Sequence, residues 1–333
     1  MKDSTMEIYA DNIYLFQYNY FEFLGENEWQ PFSDYCVYFI MQRDKLKIED
    51  FKFRNGLFSV KYSNCNSNET FEIENIVLFE FYIPDEFVEV KILYAGSCLE
   101  IGMNEKGRIF LAENNLDSSD YFYLNDTYKV TIYQFLSMLG NQEKKQEDLE
   151  LLYIGQSIQP QKRLSNHKTL QRIIRDKELN SPGKEIMLLL CHPATKYYNY
   201  FENNSLQLKV LLGNSAWQDT EKEHLNVGDS ELLDVFEAIL IQKFCPPYNV
   251  IYKNTVPNNK QKTFLKLEQN NINDIKVYLP LSLDNDVIMN IFTNEFATKS
   301  RKGLMLSCRT QKLTEKKRVN IQVEEIHHKL FDV

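Results

Sequence analysis

The 333-residue chain carries 47 acidic against 38 basic side chains, a net charge of −9, and 43% of its residues are hydrophobic. That length suits two or three domains, and that apolar content excludes wholesale disorder. The negative balance argues against a general polyanion binder, and no apolar run reaches the roughly 18 residues that would cross a bilayer.

No apolar stretch of signal-peptide type follows Met1–Thr5, so a cytoplasmic location without a membrane partner is expected. Cys36, Cys65, Cys98, Cys191, Cys245 and Cys308 are scattered without a C-x-x-C pair, a pattern of reduced, buried thiols. The charge is unevenly divided. Residues 1–120 hold 22 acids and 10 bases, a balance of −12, whereas residues 151–185 hold 7 bases against 3 acids and residues 251–320 hold 13 against 6. The second half could therefore meet a phosphate backbone while the acidic front stays clear of it.

In chain order, residues 6–120 read as short strands: Ile8–Tyr9, Ile13–Tyr20, Tyr35–Ile40, Phe58–Tyr62, Ile76–Phe81, Val88–Leu93 and Arg108–Leu111. These aromatic and β-branched runs are broken by Asn, Asp, Ser and Gly. Asn55-Gly56 predicts a two-residue hairpin turn between Phe51–Arg54 and Leu57–Val60. The polar stretch Asn114–Ser119 marks a boundary, giving an acidic β-rich domain over 1–120 for recognition or assembly, through which a protein partner or a second copy could bind.

Tyr128–Leu136 predicts a strand, Asn141–Asp148 a loop, and Leu149–Gly155 a second strand forming an antiparallel hairpin with the first. Pro160 suits the first turn of a helix, with an apolar stripe from Leu164, Leu170, Ile173 and Ile174 and with Arg163 and His167 one turn apart. Ser181-Pro182-Gly183 ends that helix, and Glu185–Cys191 gives a third strand. A further helix runs from Asp229 or Ser230 to Phe244, where Cys245-Pro246-Pro247 stops it. Leu233, Phe236, Leu240 and Phe244 line its apolar face, and Glu237 lies close to that face, where a carboxylate needs a cation. Residues 256–333 read as a basic extension with strands at Ile275–Leu279, Leu304–Cys308 and Val319–Val323.

The order Tyr153-Ile154-Gly155, Arg163-x-x-x-His167, Glu237 and, after Pro247-Tyr248, Asn249 resembles the GIY-YIG nuclease superfamily, most closely its restriction-endonuclease branch. The resemblance covers about 120 residues of the chain, within a domain over 121–255. It implies an α+β fold with a three-stranded antiparallel sheet flanked by helices, and metal-dependent hydrolysis of DNA phosphodiesters, DNA ahead of RNA, in restriction or defence. It further implies Mg²⁺ or Mn²⁺ held by Glu237, a catalytic set of Tyr153, Arg163, His167, Glu237 and Asn249, and a second phenol.

The first half-motif is absent as such. Thr131-Ile132-Tyr133 is the nearest candidate, which makes Tyr133 the expected first tyrosine and Tyr128 the reserve. His167, with an ordinary pKa near 6.5, would suit proton exchange or positioning of water or phosphate. Lys162, Lys168, Lys316, Lys317 and Arg318 are the expected nucleic-acid contacts. A binding or assembly protein with a decayed nuclease site is the alternative.

Overall fold

The computed structural model describes residues 4–23, 29–30, 36–76, 84–93, 96, 98–113, 128–133, 146–199, 229–250, 267, 272–282, 288–298, 303–311 and 318–326. In chain order the elements are β1 (Ser4–Gln17), β2 (Cys36–Asp44), β3 (Leu46–Arg54), β4 (Leu57–Asn64), β5 (Thr70–Ile76), β6 (Val88–Leu93), β7 (Cys98–Met103) and α1 (Glu105–Glu113). They continue with β8 (Tyr128–Thr131), β9 (Gln146–Ser157), α2 (Pro160–Ser165), α3 (Lys168–Asn180), β10 (Lys184–Asn199) and α4 (Asp229–Phe244). The last are β11 (Ile272–Pro280), β12 (Ile288–Phe292), β13 (Gly303–Gln311) and β14 (Arg318–Ile326). The chain is α+β, and no helix among the described residues is long and apolar enough to cross a membrane.

Two compact units result, and neither follows the boundaries expected at 120 and 255. One comprises residues 1–43, 146–176 and 186–333; the other comprises residues 44–145 and 177–185. The predicted acidic front is thus divided, because β1 and β2 enter the same sheet as β9 and β10. The predicted C-terminal extension is likewise no appendage: β11, β12, β13 and β14 extend that sheet.

The larger unit is built on a mixed eight-stranded sheet in the order β12-β9-β2-β10-β1-β11-β13-β14. Parallel pairing occurs between β1 and β11 and between β12 and β9. Eight of the nine β2 residues are buried, as expected of an unbroken apolar run in a sheet covered on both faces. Val37, Phe39 and Met41 enter the core that contains α4, whereas Cys36, Tyr38 and Ile40 enter the one built on Leu164, Leu170 and Ile173 of α2 and α3.

β9 pairs antiparallel with β2, with Ile40 opposite Tyr153 and Met41 opposite Leu151, so Leu152 is an extra residue in the ladder. Such a bulge re-aims the side chains beyond it. Leu149 and Leu151 lie in the α4 core, whereas Tyr153 packs on the α2/α3 side with Tyr38. Without that one-residue shift, strand alternation would send Tyr153 to the opposite face.

The smaller unit contains two three-stranded antiparallel sheets, β3-β4-β5 and β6-β7-β8, which share the core of Leu46, Ile48, Phe58, Val60, Leu99 and Ile101. The Asn55-Gly56 turn forms as predicted: Arg54 pairs with Leu57, and the two turn residues have φ of 55° and 76°, the left-handed pair a type I′ turn demands. Arg108–Leu111 is helical, not extended. Asn104 accepts from Gly107 N–H at 3.1 Å, an N-cap bond that starts α1 and overrides β-propensity. The expected strand Ile76–Phe81 ends β5 at Ile76, and residues 77–81 lie outside the described residues.

Candidate active site

The hairpin expected between Tyr128–Leu136 and Leu149–Gly155 does not form. β8 pairs with β7 instead, and the Tyr133 hydroxyl donates to the backbone oxygen of Asp44 within the smaller unit. Tyr133, two residues beyond the end of β8, is therefore a structural residue and not a site residue, and Tyr128, the first residue of β8, lies likewise in that unit. The phenol beside Tyr153 belongs to Tyr38, the third residue of β2 and directly opposite Gly155.

Tyr38, Tyr153 and His167 form a close aromatic triangle. Ring centroids are 6.2 Å apart for the two tyrosines, 5.6 Å for Tyr38–His167 and 5.2 Å for Tyr153–His167. Gly155 makes room for it. A Cβ there would stand 2.5 Å from both Cζ and Oη of Tyr38 and 2.7 Å from Cε1 of Tyr153. Gly155→Ala should accordingly push the Tyr38 ring aside and cost about 1–3 kcal/mol of stability, the usual effect of overpacking; thermal denaturation measures it.

The expected single helix bearing Arg163 and His167 is two helices. α2 ends at Ser165, and His167 immediately precedes α3. His167 caps α3: its Nδ1 accepts from Leu170 N–H at 2.8 Å, satisfying one of the free amides of the first turn. Burial first, and then the Arg163 charge, push the imidazole down to about 4, so the ring is neutral near pH 7. With Nδ1 occupied as an acceptor, the proton resides on Nε2. Nε2 is buried and meets no hydrogen-bond partner among the described residues. The expectation of proton exchange near pH 6.5 gives way to that of a fixed donor.

The Tyr38 hydroxyl is also buried and unpartnered among the described residues. Burial raises its pKa, as do Tyr153 and Glu237, against the lowering influence of Arg163. Tyr153 is raised for the same leading reason, with Glu237 adding and Arg163 opposing. Arg163 itself is exposed on α2, yet its charge acts on Tyr38, Tyr153, His167 and Glu237 together.

Glu237 is 9% exposed on α4. Burial, and next the neighbouring carboxylate of Asp234, push it up to about 8, while Arg163 and a hydrogen bond from Gln156 act in the opposite direction. No Lys or Arg forms an ion pair with Glu237 among the described residues. Gln156 Nε2 donates to Asp234 Oδ1, which brings β9 and α4 together at this point.

Asn249 explains how α4 is held to β9. β12 pairs only with Gln146–Glu150 of that strand. Beyond it, Tyr248 N–H donates to Leu152 O at 3.0 Å. Asn249 Oδ1 accepts from Ile154 N–H at 2.9 Å, and its Nδ2 donates to Ile154 O at 2.8 Å. One side-chain amide thus replaces a neighbouring strand for one residue of the edge. Asn249→Ala strands both buried backbone groups, and at about 1–3 kcal/mol for each unsatisfied group a loss of about 2–5 kcal/mol is expected in denaturant unfolding.

Among the expected nucleic-acid contacts, Lys162 on α2 and Lys168 at the start of α3 are exposed. Lys316 and Lys317 lie outside the described residues, and Arg318 begins β14 with its side chain undescribed. Neither Tyr38 nor the Gln156–Asp234 pair was expected from the sequence. The readable signal for Tyr38 is Cys36–Met41, an unalternating apolar run resembling Leu149–Ile154 and matching it as a central strand.

Among the described residues, no group of three or more His, Cys, Asp or Glu side chains is arranged to hold a metal ion. Mg²⁺ takes only one or two protein carboxylates and keeps water in its remaining positions, so Glu237, buried with no ion pair among the described residues and with Asp234 beside it, fits the donor set such an ion requires. Comparison with family models, with curated proteins and with solved structures finds no match.

Proposed function

We propose that the chain is a metal-dependent endonuclease of GIY-YIG type, with Cys36-Val37-Tyr38 in the place of the first half-motif and Tyr153-Ile154-Gly155 as the second. The observation that carries the reading is the meeting of Tyr38, Tyr153 and His167 around Gly155. All three share the field of Arg163, and Glu237 acts on both phenols. The pairing of Tyr38 with Gly155 across β2 and β9 supplies the second phenol that the resemblance requires.

Hydrolysing a phosphodiester needs an oriented water, neutralisation of phosphoryl charge and help for the leaving alkoxide. Glu237 would hold a divalent cation, which when bound would supply charge neutralisation and a polarised water. Arg163 offers a planar fork of donors to the phosphate oxygens. His167, kept neutral and anchored through Nδ1, presents Nε2–H as a donor that meets no partner among the described residues, which suits a phosphoryl oxygen or the attacking water.

The Tyr38 hydroxyl, which meets no hydrogen-bond partner among the described residues, can accept a hydrogen bond from that water. A free phenol with a pKa near 10 is ionised about one part in a thousand at pH 7, and burial at Tyr38 opposes ionisation further, so the nearby guanidinium of Arg163 is needed to favour a phenolate. DNA is the substrate class preferred over RNA, with Lys162 and Lys168 on its backbone. Supercoiled plasmid, single-stranded DNA and RNA incubated with Mg²⁺ or Mn²⁺ test the reading. Nicks or linear product with metal and none with chelator are expected, and no product from any of the three would refute it.

A further inference from the structure

We infer that the exposed face of α3 is a track for the phosphates of DNA, carried by Lys168, Arg172 and Arg175, with Tyr248 as the positioning residue that holds Arg172 in the row. The inference rests on DNA as the partner in the reading above and adds to it a surface and two arginines.

Residues 151–175 hold five bases (Lys162, Arg163, Lys168, Arg172 and Arg175) and no acid, in a chain whose net charge is −9. Lys168, Arg172 and Arg175 are exposed and stand at i, i+4 and i+7 of α3, which puts them in one row. The other side of the helix is committed to the core, where Leu170 and Ile173 are buried. At about 1.5 Å of rise per residue the row is about 10 Å long, the reach of about three phosphates of one strand at about 3.4 Å each. Stability does not account for this placement. Lys168 opens α3, whose first turn holds no acidic residue, and a cation at a helix N-terminus opposes the macrodipole. Among the described residues only Arg175 of the row is ion-paired, to Asp176 at 3.5 Å, and a pair so exposed contributes little.

An independent contact places Arg172. Its Cζ lies 5.2 Å from the centroid of the Tyr248 ring, a cation–π contact, which occupies none of the five N–H donors of a guanidinium. Asp176 accepts from the Tyr248 hydroxyl at 3.4 Å. Tyr248 is tied to the proposed site as well: its N–H donates to Leu152 O at 3.0 Å, and its ring packs on the cluster that Tyr153 also packs on. The row begins one residue after His167, so it is continuous with the site.

The test uses the full-length protein in chelator, and follows fluorescence anisotropy of a labelled DNA duplex across a series of KCl concentrations. K168A/R172A/R175A should flatten the dependence of log Kd on log salt by about 2–3, at about 0.9 for each phosphate contact, and bind about 10²–10³-fold more weakly near 0.1 M salt. Ala favours a helix, so circular dichroism should show an unchanged fold. K91A, which removes an exposed lysine of the smaller unit, should bind as wild type does. R172A and Y248L should each weaken binding several-fold, and Y248F, which keeps the ring, should not. R172A/Y248L should bind no more weakly than R172A, because the ring acts through the guanidinium. An unchanged salt slope in the triple variant would make the row a solvated face and overturn the inference. An equal loss in K91A, or duplex RNA bound by wild type in place of DNA, would overturn it too. Additive losses in R172A/Y248L would remove the positioning role of Tyr248. Weaker DNA binding by the triple variant, with no cleavage of DNA by wild type in Mn²⁺, would refute the nuclease reading and leave this surface standing.

Discussion

Glu237→Gln is expected to abolish cleavage and, at the same time, to make the cation-free protein more stable in alkaline buffer. The two effects have one cause. Glu237 is buried beside Asp234 with no ion pair among the described residues, and its carboxyl is pushed up to about 8 from 4.5. Below pH 4.5 it is protonated in both folded and unfolded chains and contributes no pH dependence. Between 4.5 and about 8 the unfolded chain ionises while the folded one holds its proton, so stability falls as pH rises, and above about 8 the full cost is present.

A tenfold ratio between ionisation constants is worth about 1.4 kcal/mol, which bounds the cost at about 5 kcal/mol and leaves a few kcal/mol after local relaxation. Gln carries no charge and escapes the cost. Urea denaturation without metal should therefore show the variant matching wild type near pH 4 and exceeding it by about 2–4 kcal/mol at pH 9. Saturating Mg²⁺ should narrow that gap by stabilising wild type alone. A variant no more stable than wild type at pH 9 would mean that Glu237 is solvated or paired.

The second large effect separates Tyr38 from Tyr133. Tyr38→Phe removes only a hydroxyl that has no partner among the described residues, so folding should be preserved or slightly improved. Cleavage should nonetheless fall by about 10²–10⁴-fold, the usual range for a group that assists proton transfer. Tyr133→Phe removes a hydroxyl that donates to Asp44 O in the other unit. It should cost about 1 kcal/mol of stability and leave the cleavage rate per folded molecule unchanged. Side-by-side rates for the two variants, corrected for folded fraction, check this. The opposite pattern would restore Tyr133 to the site.

Those contrasts also show what a sequence can and cannot reveal here. Tyr153, Gly155, Arg163, His167 and Glu237 were legible because each sits in a locally decided context: a strand exit, a helix beginning at Pro160, an amphipathic helix with one carboxylate near its apolar face. Their order was enough to suggest a site. Tyr38 was not legible because the strand carrying it is joined to β9 through residues 45–145. Antiparallel neighbours are ordinarily joined by short loops, so local sequence points to the nearest upstream strand as the partner of Leu149–Gly155, whereas β8 pairs with β7.

The helix arrangement failed for a different reason. Periodicity from Leu164 to Ile174 suggests one helix, but His167 Nδ1 competes for Leu170 N–H and starts a new one. Arg163 and His167 then belong to different helices, and the role of the imidazole changes from proton carrier to donor. The C-terminal runs 275–279, 304–308 and 319–323 are strands, within β11, β13 and β14, because each is locally β-branched or apolar. Their membership in the site-bearing sheet depends on long-range pairing, such as β1 with β11, which no local pattern encodes.

The most direct test of a metal-dependent nuclease at this site compares wild type with Glu237→Gln, purified identically, on supercoiled plasmid in Mn²⁺ and in chelator. Cleavage by wild type in Mn²⁺, none in chelator, and a loss of at least about 10³-fold in the variant with DNA binding retained is the predicted result. Equal cleavage by both proteins would contradict the account, since it would place the activity outside the site proposed at Tyr38, Tyr153, Arg163, His167 and Glu237.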